Sequence, residues 1–143
     1  MARAHGGRDS EFHLDDSGNT LRDLSQFVTS VDAPHNQDTA EITGFGDVRK
    51  SFVLGQIDTT VSVSGNFDNT ATTGPHVVLT SLINGSAGYQ LRYFPAGSAS
   101  GNPELSGKVL LGSYNISSPL GDKVSFSASL FAADTTGVVW SVI

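Results

Sequence analysis

The side chains that could carry chemistry in this chain include four histidines, and their spacing is unfavourable for a metal site. His5, His13, His35 and His76 lie far apart, with none of the H-x-x-x-H or carboxylate spacings that metal coordination requires. Isolated histidines of this kind are mostly structural or solvated. We therefore expect no metal ion and no cofactor.

Two groups of carboxylates are candidates for a different chemistry. The run Asp15-Asp16-Ser17-Gly18-Asn19 has the composition of a calcium loop, but its glycine comes two positions too early and no glutamate closes it. We interpret this run as a tight turn. Asp58 and Asp68 flank a polar strand, without the burial that raises a carboxyl pKa for acid catalysis.

Serines are numerous, yet none lies in a pattern that activates it. The chain contains no G-x-S-x-G elbow and no phosphate-binding G-x-x-x-x-G-K-[ST], and Gly44-Phe45-Gly46 is a lone G-x-G. The absence of cysteine excludes thiolate nucleophiles, thiolate metal sites and disulfides. The sequence therefore predicts a protein that is not an enzyme.

The composition of the chain limits the classes of partner that it can bind. The chain has 143 residues, the size of one domain, with 8 Lys+Arg against 14 Asp+Glu and a net charge of -6. This balance argues against a surface that holds nucleic acid or anionic lipid by counterion release. Nothing near Met1 resembles an export signal, and no apolar run approaches the roughly 20 residues of a membrane-spanning helix.

The elements that must position these side chains are mostly strands. We expect a flexible arm over 1–10 and a single domain over 11–143, opening with a hairpin around the turn after Asp15. Residues 32–56 contain Pro34 and three glycines without periodicity, which predicts a long loop. Apolar residues at helical spacing between Pro75 and Gly85 predict one helix over 75–84. Further strands are predicted over 87–94, 108–117 and 123–132, with a turn region over 97–107.

This order of elements predicts an all-β dominated fold. We expect a β-sandwich or barrel of about six to eight mainly antiparallel strands with one flanking α-helix, because a parallel sheet would need more helices.

The strand over 57–68 alternates in an informative way. Ile57, Val61, Val63 and Phe67 share one face, which we interpret as core. The opposite face has no Lys or Arg and consists of Asp58, Thr60, Ser62, Ser64, Asn66 and Asp68. A second strand repeats this theme, with Val124, Phe126, Ala128 and Leu130 opposite Ser125, Ser127 and Ser129.

Two further segments are candidates for contacts with other chains. The long loop carries Phe45, Asp47, Arg49, Lys50 and Phe52, and its basic pair is either a solvated tip or a docking element for acidic residues of a neighbouring copy. The chain ends on Val138, Val139, Trp140, Val142 and Ile143. Such an apolar ending is expected to dock as a strand or onto a neighbour.

Several strand-and-turn phrases, taken in order, resemble the major tail tube protein of long-tailed bacteriophages, a family related to type VI secretion tube proteins. The phrases are Phe12 to Gly18, Leu21 to Ser25, Val28 to Val31, Phe45 to Asp47, Gly55, Ser64 to Asp68, Ser113 to Pro119 and Asp122 to Ala128. The resemblance spans Phe12 to Leu130 and excludes the N-terminal arm and Val138 to Ile143.

The resemblance implies a β-sandwich with a flanking helix, six copies of which form a ring whose inner sheets join into one barrel. Rings would stack into a tube through which DNA leaves the virion, and the long loop, here Thr39 to Gln56, would reach a neighbouring subunit or ring. The family has no catalytic residues. The implied partners are further copies of the chain, the tape measure, terminator and distal tail proteins, and DNA in transit. The implied location is the virion tail, after assembly in the host cytoplasm.

The polar faces give a physical reason for such a conduit, since wall cations would bind the DNA phosphates and slow its passage. We therefore expect Asp58, Thr60, Ser62, Ser64, Asn66 and Asp68 to face the lumen, with Ser125, Ser127 and Ser129 as second candidates. Lys123, on the same side as Ser125, is expected at the channel rim.

Two alternatives fit the same sequence. One is a tail terminator or head-tail joining protein, which would form a single ring. The other is an Ig-like or carbohydrate-binding decoration module, although Tyr89, Tyr93, Tyr114 and Trp140 lie mostly in strand positions suited to packing.

Overall fold

The computed structural model describes residues 9–85, 88–134 and 136–143, so most of the expected N-terminal arm and the strand start at Ala87 lie outside the described residues. Within these ranges the chain forms nine strands and one helix. The strands are β1 (Glu11–Asp15), β2 (Leu21–Asp23), β3 (Val28–Asp32), β4 (His35–Glu41), β5 (Phe52–Asn66), β6 (Tyr89–Phe94), β7 (Pro103–Ser117), β8 (Ser125–Ala132) and β9 (Val139–Val142), and α1 is Pro75–Ser81.

The strands pair antiparallel in the order β2-β1-β6-β7-β8-β5-β3, with β4 added on β5 and β9 on β7. The long strand β7 belongs to both halves of this arrangement. Its first half pairs with β6 and β9, and its second half pairs with β8, with an irregularity between Leu111 and Ser113. The predicted all-β, mainly antiparallel sandwich with one helix is therefore confirmed.

One hydrophobic core joins the two halves of the sheet. It contains Phe12 and Leu14 of β1, Leu105 of β7, and Val61 of β5, all at most 1% exposed. The helix closes one side, because Val78 and Leu79 point into the same cluster. The predicted helix is confirmed, but it ends at Ser81 and residues 82–84 form a turn. Within the described ranges, no helix has the length and apolarity needed to cross a membrane.

Three expectations about local structure are wrong. Residues 32–56 are not a long loop, because β4 and the start of β5 pair as a hairpin whose turn occupies only 42–51. The turn predicted over 97–107 ends before Pro103, because residues 103–107 already belong to β7. They are held as strand by pairing with β6 on one side and β9 on the other. Ile57 is not in the core and is 64% exposed, because this part of β5 lies beyond the sandwich.

The turn between β1 and β2 is held by Asp16, as the tight-turn interpretation predicts. Its Oδ1 accepts hydrogen bonds from the amides of Gly18 (2.9 Å) and Thr20 (3.1 Å), and its Oδ2 accepts one from Arg22 Nε (3.0 Å). Partial burial alone would raise the pKa of Asp16, but these three bonds outweigh it and hold the pKa below its ordinary value.

We expect Asp16→Ala to lower the free energy of unfolding at pH 7 by about 1 kcal/mol, since three charge-assisted bonds at a partly exposed turn are lost. The folded-state pKa is depressed, so this contribution is present above the ordinary carboxyl pKa and disappears as the pH falls through the folded-state value. Urea unfolding of both proteins from pH 7 down to pH 2 measures it. A difference that stays constant in acid would contradict the role assigned to the carboxylate.

Candidate functional site

A polar face extends across four adjacent strands of the sheet. Antiparallel pairing places partners side by side on one face, and the register aligns Asp32 with Ser62, Ser62 with Ser129, and Ser129 with Ser113. Two more rows follow the same rule. The polar face consists of Ser30, Asp32, Ser62, Ser64, Asn66, Ser113, Asn115, Ser117, Ser125, Ser127 and Ser129.

The strand register unites the two serine-rich strands that the sequence singled out. β5 and β8 are direct neighbours, so Ser64 lies opposite Ser127 and Asn66 opposite Ser125. Thr60 extends the face at one end, beside Phe131. Within the described chain, Asn66 Oδ1 is buried without a hydrogen-bond partner.

Two of the predicted residues lie beyond the part of this face where the four strands pair. Asp58 lies past the end of the pairing with β8, opposite Asn36 of β4. Asp68 follows the end of β5, and its carboxylate accepts hydrogen bonds from the hydroxyl and amide of Thr70 in the turn before α1. These bonds hold the pKa of Asp68 below its ordinary value.

Sequence reasoning missed the outer strands of the face. Ser30 and Asp32 alternate with Val31 in β3, and Ser113, Asn115 and Ser117 alternate with Tyr114 and Ile116 in β7. The period-two signal was therefore present in both segments. The sequence does not show that β3 and β7 are the strands on either side of β5 and β8.

The chemistry of the face is that of short hydroxyls and amides. Asp32 is its one carboxylate, and Lys123 lies at its rim, lining a depression of about 270 Å³ with Thr29, Ser117 and Ser125. A second depression of about 270 Å³ is lined by Asp32 and serines of four strands. Among the described residues, no hydroxyl of this face is hydrogen-bonded to a histidine or to a carboxylate side chain.

Both edges of this four-stranded unit are open. β3 pairs only with β5, and β7 pairs with β6 no further than Val109, so β3 and residues 110–117 have one unpaired side each among the described residues. Unpaired edges are templates for strands of another chain. The four strands alternate in direction, so β3 and β7 run in opposite directions.

A hairpin arm projects from the same unit. We define the hairpin arm as β4 together with residues 52–59 of β5, where β8 no longer pairs. All of β4 and the first seven residues of β5 are exposed. Its turn carries the predicted contact residues Phe45, Asp47, Arg49 and Lys50, all exposed, and Asp47 Oδ2 accepts a hydrogen bond from the Gly44 amide (2.6 Å).

One face of the hairpin arm is an exposed apolar stripe. Phe52, Leu54 and Ile57 pair with Glu41, Thr39 and Gln37, which alternate on β4, so the three apolar side chains share a face despite their uneven spacing. The register shift between Gln37 and Thr39 produces this alignment. The stripe is 55%, 62% and 64% exposed, respectively.

The apolar C-terminus forms β9 along the first half of β7. Val138 is buried, whereas Val139, Trp140, Val142 and Ile143 remain exposed to between 37% and 71%. The Trp140 ring lies near those of Tyr93 and His35, with centroids 6.4 and 6.3 Å away. His35 Nε2 is 3.2 Å from the Val138 carbonyl oxygen, which joins the arm to the C-terminal strand.

A histidine and two carboxylates meet elsewhere, through strand register and not through sequence spacing. His13 Nε2 lies 3.6 Å from Glu11 Oε1 and 3.9 Å from Asp23 Oδ1, and in the described part of the chain this is the one such group that could hold a metal ion. Partial burial alone would raise the pKa of Asp23. Two hydrogen bonds that the amide and hydroxyl of Ser25 donate to Asp23, together with the charge of the nearby His13, hold the pKa of Asp23 below its ordinary value instead.

Comparison with known proteins gives a uniform result for the fold. No family model and no curated protein matches the chain. Among solved structures, a chain of the virion of a native gene transfer agent particle matches with a TM-score of 0.74 and 12% identity, covering 98% of this chain and 99% of that chain. A chain of the tail of an empty gene transfer agent particle, with C6 symmetry, matches with a TM-score of 0.73 and 14% identity over 98% and 99%.

The tail tube of SPP1 matches with a TM-score of 0.71 and 11% identity, over 98% of this chain and 80% of that chain. These TM-scores establish a shared fold, but at such low identities the function must be argued from the site. The chain therefore shares its fold with the SPP1 tail tube chain and with the two gene transfer agent chains, which agrees with the fold that the resemblance implied.

Proposed function

We propose that this chain is a structural tail tube subunit, six copies of which form a ring with the polar face turned inward. The rings stack into a hollow tube in the virion tail, and DNA passes through the lumen. The observation that carries the proposal is the polar face itself, which is rich in hydroxyls, poor in charge and bounded by two open strand edges. The fold shared with the SPP1 tail tube and with a C6-symmetric tail supports it.

Ring closure follows from the two open edges. β3 of one copy lies beside residues 110–117 of the next copy, and because these strands run in opposite directions the joint is antiparallel, like every pair inside the subunit. Six copies of four strands give a 24-stranded barrel. At about 4.8 Å per strand its diameter is roughly 37 Å before strand tilt widens it, and barrels of 16–18 strands already leave an aqueous channel.

The wall of this channel suits a polyanion in transit. Each phosphate that pairs with a wall cation releases counterions and raises affinity, so a wall of serine and asparagine with few charges lets DNA slide. DNA is thus a passing partner and not a tightly held one. The role is structural and needs no catalysis, and assembly would take place in the host cytoplasm.

The hairpin arm supplies contacts to other copies. The apolar stripe of Phe52, Leu54 and Ile57 is too exposed for an isolated subunit, and a neighbouring subunit or ring covers it. The exposed C-terminal side chains Val139, Trp140 and Val142 provide a second such surface. Tape measure, terminator and distal tail proteins are the expected partners at the lumen and the tube ends.

Negative-stain electron microscopy together with the mass in solution tests the proposal. Six-fold rings or stacked tubes are expected. Rings that never stack would favour a terminator or joining role, and a persistent monomer would contradict ring assembly altogether.

A pair of arm variants sharpens this test. We expect Phe52→Asp with Leu54→Asp to abolish assembly into tubes while the thermal unfolding of the subunit stays near that of the wild type, because the stripe lies outside the core. The matched control is Val53→Asp, an apolar residue of similar exposure on the opposite face of the same strand. Equal assembly by the stripe and control variants would show that the stripe covers nothing.

A further inference from the structure

The four-stranded unit of β3, β5, β8 and β7 has an exposed apolar side chain at one end and a cleft at the other. At one end, the turn between β7 and β8 displays Leu120, which is 105% exposed. Gly121 has a φ of 85°, and the Asp122 amide donates to the Pro119 carbonyl oxygen (3.5 Å), so Leu120 stands at the outer corner of a β-turn. An apolar side chain at such a corner has no cover within the described subunit.

The opposite end contains a slot. β8 pairs with β5 only as far as Phe131 opposite Thr60, and the chain then turns away, with the Ala133 amide bonded to the Lys108 carbonyl oxygen. β5 continues alone on that side, which leaves a cleft of about 520 Å³. Its lining includes Ile57, Asp58, Ala132, Asp134, Val138 and Val139.

The turn and the slot lie on one line. The turn lies just before β8 begins at Ser125, and the slot begins where β8 ends at Ala132. They are about 25 Å apart along the strand. Copies stacked head to tail therefore present the turn of one copy to the slot of another, which is the heterologous contact that an open-ended stack requires.

The turn and the slot also carry side chains of opposite charge. Lys123, beside the turn, is exposed and lines a depression of the polar face, and it forms no ion pair with any residue in the described ranges. Asp58, in the slot, lies on the polar side of β5 by its alternation with Thr60 and Ser62. The slot also contains Asp134, and the turn contains Asp122, whose Oδ1 accepts the Lys123 amide (2.7 Å).

Resting on the proposed tube, we propose that the Leu120 turn of each copy inserts into the slot of a copy in the next ring, and that Lys123 pairs there with Asp58. The insertion covers Leu120 and Ile57 together and places a strand-like segment against the unpaired edge of β5. It also neutralises the one cation at the rim of the polar face. The partner is a second copy of this chain.

Cysteine cross-linking tests the contact directly, because the chain contains no cysteine. Assembled protein with Leu120→Cys and Ile57→Cys should give, on mild oxidation, a ladder of covalent species longer than dimers, since every copy is linked at both ends. Each single-cysteine variant can give dimers at most. If microscopy shows tubes of the double variant but oxidation gives no ladder, the inference is wrong and the tube stands.

Charge reversal gives an independent readout. We expect Lys123→Asp to raise the protein concentration needed for tubes at least about tenfold without affecting isolated rings, and Asp58→Lys in the same chain to restore stacking. Lys108→Asp, an exposed lysine of β7 outside the polar face, is the matched control. Normal stacking by Lys123→Asp, or failure of the double variant to recover, would overturn the ion pair. Absence of rings and tubes in the wild type would instead reject the tube itself.

Discussion

In the proposed tube, Ser62→Lys with Ser64→Lys is expected to leave particle assembly normal and to slow DNA release at least about tenfold at low salt. Both residues lie in the middle of the polar face, Ser62 exposed and Ser64 partly so. Six copies with two lysines each place twelve cations in every ring. Each one that neutralises a phosphate raises affinity for the DNA, and this effect weakens steeply as salt increases.

The measurement is the rate of DNA release from particles at several salt concentrations, with tube length checked by microscopy. The control carries Ser106→Lys and Ser141→Lys, two serines of β7 and β9 outside the polar face, with the same change in net charge. Release from the control should match the wild type. Normal release through an assembled lysine tube would show that this face does not line the lumen.

A second large effect is expected from Gly65→Ala, which should lower the free energy of unfolding by roughly 3 kcal/mol. A Cβ at this position would lie 2.1 Å from the Phe27 carbonyl oxygen and 2.8 Å from the Val28 Cα. Both are backbone atoms, and that carbonyl also accepts the Asn66 amide at 2.8 Å. The start of β3 must therefore move, and since β3 is one open edge of the proposed ring, assembly should weaken as well.

Denaturant unfolding measures this change, and Gly44→Ala is its control. Gly44 lies in the turn of the hairpin arm, where a Cβ meets nothing closer than Asp47 Oδ2 at 3.6 Å. A substitution without a clash reduces the entropy of the unfolded chain, so the control should be neutral or slightly stabilising. A change below about 0.5 kcal/mol for Gly65→Ala would mean that the backbone of Phe27 and Val28 packs less tightly against Gly65 than these distances indicate.

Patterns that depend on neighbouring residues alone were predictable. Side chains alternate in any strand, so the separation of Val61 and Val63 from Ser62 and Ser64 could be read directly, as could the serines of β8. The helix carried its own start signal at Pro75. The predicted turn after Asp15 is likewise a local matter of side-chain to backbone bonds.

The wrong predictions concern segments whose structure depends on strand pairing and whose own sequence pattern is weak. β4 is exposed along its whole length and has no apolar period, so nothing in His35–Glu41 distinguishes it from a loop until β5 pairs with it. Ile57 follows the alternation of the core residues, yet it lies where β5 has left the sandwich, and burial depends on what packs opposite.

The sequence by itself determined which sides of β5 and β8 are polar, where the one helix begins, and that the chain has no thiol and no net positive charge. Only the tertiary structure decided that β3, β5, β8 and β7 are neighbours, so that separate runs of serine become one continuous face with two open edges. It also placed Leu120 and the slot at opposite ends of one strand. The physical reason is that alternation is set by the backbone of each residue and its neighbours, whereas strand order, register and edges are set by contacts between residues far apart in the chain.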